Sequence, residues 1–70
     1  MSEFDVSNEY KLQTLTQRLE QLNVEGWHNE EGRTVAETIG NTAEVDRCNE
    51  NIAIIKSAIV AVQAQIDKLA

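Results

Sequence analysis

Apolar residues in the C-terminal part of the chain recur in alternating steps of three and four. This is the a/d pattern of a helix that packs along one stripe, and it predicts a long helix over residues 42–69. The e and g positions beside the stripe are mostly small or uncharged. The positions of this stripe, which we call the isoleucine seam, are Val45, Cys48, Ile52, Ile55, Ile59, Val62, Ile66 and Leu69.

A second, shorter leucine repeat lies near the N-terminus and predicts a first helix over about residues 7–23. The opposite side of this helix is polar, which is typical of a one-sided amphipathic helix that covers another helix. The leucine seam is therefore expected to pack on the isoleucine seam. Its members are Leu12, Leu15, Leu19 and Leu22.

Residues 24–33 are polar and are bracketed by Gly26 and Gly32, so they are predicted to form a loop. Ten residues exceed the usual helix–helix connection, and such a loop is expected to have a structure of its own. The chain is thus read as all-α, a helical hairpin forming a single domain over residues 1–70.

Two capping boxes follow the predicted loop, and each predicts a helix start. Thr34 precedes Glu37 by three residues, and Asn41 precedes Glu44 in the same way. Gly40 stands where a left-handed C-terminal glycine belongs, which favours a short helix over 34–39 followed by the long one. A continuous helix through Gly40 is the alternative, since an internal glycine costs only about 1 kcal/mol.

Helix lengths then predict self-association. A first helix of about 24 Å covers little more than half of a second helix of about 42 Å. The bare isoleucines would cost about 1.5–3 kcal/mol each, so we expect a homo-oligomer, a dimer of hairpins or larger, with the isoleucine seam as its core. β-branched residues at both a and d favour more than two strands.

Composition excludes several classes of protein. The net charge of −6 argues against direct binding of duplex nucleic acid, which needs a basic face. The single cysteine, Cys48, lies on the seam and is expected to be a buried hydrophobe in a reduced compartment. No signal peptide is recognisable, and Lys56 interrupts an apolar stretch that is too short for a membrane span. These features predict a cytoplasmic protein that does not bind membranes.

The chain offers little for catalysis: no metal-ligand spacing, no nucleophile–base pair and no phosphate loop, so no enzyme activity, metal or cofactor is expected. The most informative polar segment contains Trp27, His28, Arg33 and Thr34. Stacking, phosphate contact and the amides of a helix starting at Thr34 would together suit a small anionic ligand. The favoured alternative is structural: Trp27 plugs the end of the bundle, and Arg33 pairs with a nearby glutamate.

The sequence leaves three classes of function open. The preferred hypothesis is a non-catalytic helical oligomer that binds a protein partner, as an inhibitor, an adaptor or a phage-type accessory or antagonist protein. A nucleotide-sequestering protein with pockets between protomers is the first alternative. A purely structural coiled-coil module is the second.

Overall fold

Two antiparallel helices make up the structure, a computed structural model that describes residues 3–70. Helix α1 spans Asn8–Thr38 and helix α2 spans Thr42–Leu69. They are joined by a short turn, and the hairpin is a rod of 50 × 17 × 17 Å. The described residues contain no strand. The prediction of an all-α helical hairpin is confirmed.

Both helix starts and the turn follow the local sequence signals. The hydroxyl of Ser7 accepts a hydrogen bond from the Tyr10 amide at 3.2 Å, and Asn41 Oδ1 accepts one from the Glu44 amide at 3.1 Å. Each bond satisfies an amide that has no partner within its helix. Gly40 has φ 75°, a left-handed conformation that glycine adopts without strain. The predicted helix end at Gly40 and the start of α2 are confirmed.

The predicted loop over residues 24–33 is wrong, because this segment is helical. Residues 34–39 likewise do not start a new helix: up to Thr38 they are the last turns of α1. Each glycine costs about 1 kcal/mol in a helix interior, and packing against α2 offsets this cost. Gly26 and Gly32 lie on the side of α1 that faces α2. A Cβ at Gly26 would be 3.6 Å from Ile55 Cγ2, and one at Gly32 would be 3.6 Å from Cys48 Sγ.

The length argument for self-association is also wrong. At 31 residues α1 is about 46 Å long, slightly longer than the 28 residues and about 42 Å of α2. It therefore runs along the whole isoleucine seam, and the seam packs against α1 of the same chain. Burial is nevertheless incomplete, because Val45, Ile59, Ile66 and Leu69 are only half-buried. The buried side chains are Leu15, Ala36, Cys48, Ile52, Ile55 and Val62.

Polar side chains cross between the helices in the half of the hairpin nearer the turn. Asn51 Nδ2 donates to Asn29 Oδ1 at 3.2 Å, and Arg33 Nη1 donates to Asn49 Oδ1 at 2.9 Å. No side-chain nitrogen or oxygen among residues 3–70 is buried without a partner. Because these bonds need particular residues opposite each other, they favour one register of the two helices.

Glycine substitutions test the continuity of α1. Gly26→Ala should raise the free energy of unfolding by about 0.5–1 kcal/mol, because alanine is the better helix former and its Cβ fits beside Ile55. Gly40→Ala should lower it by about 1–2 kcal/mol, because the left-handed conformation strains any residue with a Cβ. Urea unfolding followed by circular dichroism measures both. Destabilisation by Gly26→Ala would contradict a helix through this position.

An aspartate scan tests the position of the seam. Ile55→Asp should unfold the hairpin, because it places an unpaired charge among buried apolar side chains. Ser57→Asp, on the exposed side of the same helix, should leave it helical. Far-ultraviolet circular dichroism distinguishes the two outcomes, and equal losses of helicity would show that the seam is misplaced.

Candidate interaction surfaces

The four predicted ligand residues do not converge on one site. Trp27 and His28 are both exposed, with ring centroids 5.2 Å apart in an edge-to-face arrangement. Arg33 reaches across to Asn49 in α2. Thr34 Oγ1 donates to the Glu30 carbonyl at 3.1 Å inside a continuous helix. The helix N-terminus on which phosphate binding was predicted therefore does not exist at Thr34.

The structural alternative for this segment is also wrong. Trp27 exposes 59% of its surface and closes no end of the bundle. Arg33 forms its ion pair with Glu37, at 3.6 Å between Nε and Oε1, rather than with Glu30 or Glu31. Arg33 is thus engaged within the hairpin, whereas Trp27 is free of the core.

Trp27 lies on a flank of α1, next to the exposed Val24, and also lines a small cleft with Ile52, Ile55, Lys56 and Ile59 of α2. Helical spacing places Glu20 and Glu31 on the same side, one turn from Val24 and Trp27. Next to them is a shallow depression of about 510 Å³ lined by Thr16, Leu19, Glu20, Asn23, Val24 and Trp27. We call this surface of α1 the Trp27 face; its exposed apolar residues are Val24, Trp27 and Val35.

Helix α2 has a second stripe in 4-3-4-3-4 steps, roughly opposite the isoleucine seam. Every member of this outer stripe is exposed, and Ile54 exposes 67% of its surface. Val60, at 70% exposure, lies beside it. From 51 to 66 the only charged residue is Lys56. The outer stripe consists of Glu50, Ile54, Ser57, Ala61, Ala64 and Lys68.

A groove of about 620 Å³ lies at the open end of the hairpin, away from the turn. The segment that precedes α1 borders it, together with residues from both helices. Its polar lining includes Tyr10 and two lysines. Its lining is Phe4, Val6, Tyr10, Lys11, Thr14, Leu15, Gln65, Lys68 and Leu69.

The strongest ion pair is on the surface at the start of α2. Arg47 donates to both carboxylate oxygens of Glu44. This hydrogen bonding, aided by the positive charge of Arg47, lowers the pKa of Glu44 below its ordinary value. Cys48 Sγ lies 3.8 Å from a Glu44 oxygen, but the thiol is 2% exposed and packs in the seam. The cluster stabilises the first turn of α2 and presents no accessible nucleophile.

Within residues 3–70, no three acidic, cysteine or histidine side chains are grouped so that they could hold a metal ion. Neither helix is long and apolar enough to cross a membrane, as judged over the same residues. The exposed features of the hairpin are therefore mainly apolar surfaces, the Trp27 face and the outer stripe.

Comparisons with known proteins identified no relative. No protein-family model, no curated protein and no solved structure matches the chain.

Exposure of Trp27 leads to a stability prediction. Trp27→Ala should change the free energy of unfolding by less than about 1 kcal/mol, whereas truncating a buried tryptophan costs about 3–5 kcal/mol. Leu15→Ala, in the core of the same helix, is the matched comparison and should cost about 2–5 kcal/mol. Urea unfolding measures both, and a large loss from Trp27→Ala would place the indole in the core.

Proposed function

We propose that this chain is a non-catalytic, self-associating helical module that binds a protein partner through its Trp27 face, in the manner of an inhibitor or adaptor. The observation that carries the proposal is the 59% exposure of Trp27 beside the exposed Val24, with Val35 exposed further along the same helix. Covering an exposed indole with a partner removes apolar surface from water, and this lowers the free energy of the complex.

Tryptophan is well suited to the centre of such an interface. It supplies a large rigid contact area with few rotatable bonds, and tryptophan is among the residues that dominate binding energy at protein interfaces. Val24 and Val35 lie on the same side of α1, since eleven residues correspond to about three helical turns. Trp27 lies one turn from Val24 and to one side of this line, so a partner centred on Trp27 and Val24 would reach Val35 further along the helix.

The charge around the Trp27 face specifies the chemistry of the partner. Helix α1 carries six glutamates against three basic residues, and Arg33 is engaged with Asn49 and Glu37. With a net charge of −6 on the whole chain, an apolar surface flanked by lysine or arginine is favoured. Opposite charges would raise the rate of association and make binding weaken as salt is added.

Self-association is supported by the amount of surface that the hairpin exposes. Its accessible area is 5497 Å², whereas a compact monomer of 7.8 kDa exposes about 4,400 Å². Its radius of gyration is 15.9 Å, against about 11 Å for a compact chain of this length. The excess of about 1,100 Å² exceeds the ~800 Å² that each partner buries in a standard interface.

The two alternative functions have less support. A nucleotide-type ligand would need cations beside Trp27. Lys56 borders the same cleft as Trp27, but Arg33 is engaged elsewhere, and Glu30 and Glu31 are exposed close by. A purely structural coiled coil would not need an exposed tryptophan. The nucleotide alternative would still use Trp27, but without a free Arg33 or a helix N-terminus at Thr34 beside it.

Affinity capture with matched variants tests the proposal. Immobilised wild-type chain and Gln13→Ala, an exposed control on the same helix, should retain the same partner from an extract of the cells that express the chain. Trp27→Ala should lose it, and added salt should release it from the wild type. Retention of the same proteins by all three would contradict the proposal.

Thermal melting in the presence of nucleotides separates the ligand alternative. A protein-binding module should show no shift, whereas a sequestering protein would be stabilised by mass action, by about 2.7 kcal/mol at 100 times the dissociation constant. A shift that Trp27→Ala abolishes would replace the proposed function with nucleotide sequestration.

A further inference from the structure

We infer that the outer stripe of α2 packs antiparallel against the same stripe of a second copy. This inference rests on the self-association in the proposed function and names its interface. Ile54, Ser57 and Ala61 stand at its centre in the a/d spacing of a helix that packs on another helix. Because α1 covers the isoleucine seam, none of residues 3–70 covers this second stripe, and all of its members are exposed.

Net charge limits which surface can meet a second copy. Each protomer carries −6, so contact between two copies must avoid placing carboxylates opposite each other. The interior of the outer stripe, from Ile54 to Ala64, contains no charged residue. The Trp27 face carries Glu20 and Glu31 on its side of α1 and would bring like charges together. Of these two exposed apolar surfaces, the outer stripe suits a second copy.

The two ends of the outer stripe determine the orientation. Glu50 begins it and Lys68 ends it, about 27 Å further along the helix. An antiparallel arrangement places Glu50 of each chain near Lys68 of the second copy, giving two ion pairs. A parallel arrangement would place the two Glu50 side chains together and the two Lys68 side chains together. Charge complementarity therefore favours the antiparallel pair.

The same register matches side chains by size. When Glu50 is opposite Lys68, Ser57 is opposite Ala61 and Ile54 is opposite Ala64 of the second copy. Small residues at the centre let two helix backbones approach closely, and each isoleucine lies over an alanine. The result is a four-helix assembly in which the two α2 helices are in contact and the Trp27 faces remain free.

Light scattering coupled to size exclusion tests the interface. The wild-type chain should have a molar mass of twice 7.8 kDa. Ala61→Glu should raise the dissociation constant of the dimer at least about 100-fold, because it buries an unpaired charge at the centre of the interface. Ala61 is exposed in the protomer and glutamate is a good helix former, so helicity should be unchanged. Gln13→Glu, on exposed α1 surface, adds the same charge and should remain a dimer.

Cysteine cross-linking tests the orientation. Ser57→Cys chains mixed with Ala61→Cys chains should form a disulfide on mild oxidation, and Ser57→Cys chains alone should form little. The native Cys48, 2% exposed in the seam, serves as the unreactive background. A parallel pair would instead link Ser57→Cys chains to each other.

The outcomes separate this inference from the proposed function. A wild-type chain that is monomeric at all concentrations overturns both the proposed self-association and the outer-stripe interface. An oligomer that Ala61→Glu leaves intact overturns only the interface. Efficient cross-linking of Ser57→Cys chains alone overturns the antiparallel arrangement, whereas the mixed cross-link together with dissociation by Ala61→Glu supports the inference in full.

Discussion

Two helices can bury only one stripe of each against the other, and this constraint governs the rest of the structure. The six buried side chains of the hairpin all lie in that contact. Apolar residues elsewhere on either helix must remain in water or meet another molecule. The composition of the outer surfaces therefore carries the functional information, with a tryptophan among glutamates on α1 and small, uncharged residues on α2. We propose a different protein as the partner of the first surface and a second copy of the chain as the partner of the second.

The long repeat of the isoleucine seam, the N-caps and the left-handed glycine were predictable, because each depends on residues close together in sequence. The helical conformation of the middle of α1 was not predicted, because glycines and polar residues normally signal a loop. A signal for the helix was nevertheless present. The leucine seam continues in the same four-and-three steps through Gly26, Asn29, Arg33 and Ala36. Small and polar residues can occupy seam positions where the partner helix comes close or offers a hydrogen bond.

The candidate site was harder to predict, since it depended on that misplaced loop. Once residues 24–33 are helical, residue spacing determines direction: Trp27 lies exposed on a flank of α1, while Arg33 reaches across to α2. For the outer stripe, the sequence showed only that residues beside the isoleucine seam are small or apolar. Whether they are exposed depends on where α1 packs. The a/d pattern predicts that α1 covers the isoleucine seam, whereas the full length of that contact depends on α1 continuing through residues 24–33.

The short turn also has a consequence for how the chain folds. Ala36 and Val45 lie close to it, so bringing them together closes a small loop, whereas Leu15 and Leu69 at the open end are far apart in sequence. The entropy of closing a loop grows with its length, which favours pairing that begins at the turn and advances like a zipper. The leucines are concentrated where the chain closes last. Amide protons near the open end should accordingly exchange with solvent through fraying, while those near Cys48 and Ile52 exchange only when the whole hairpin opens.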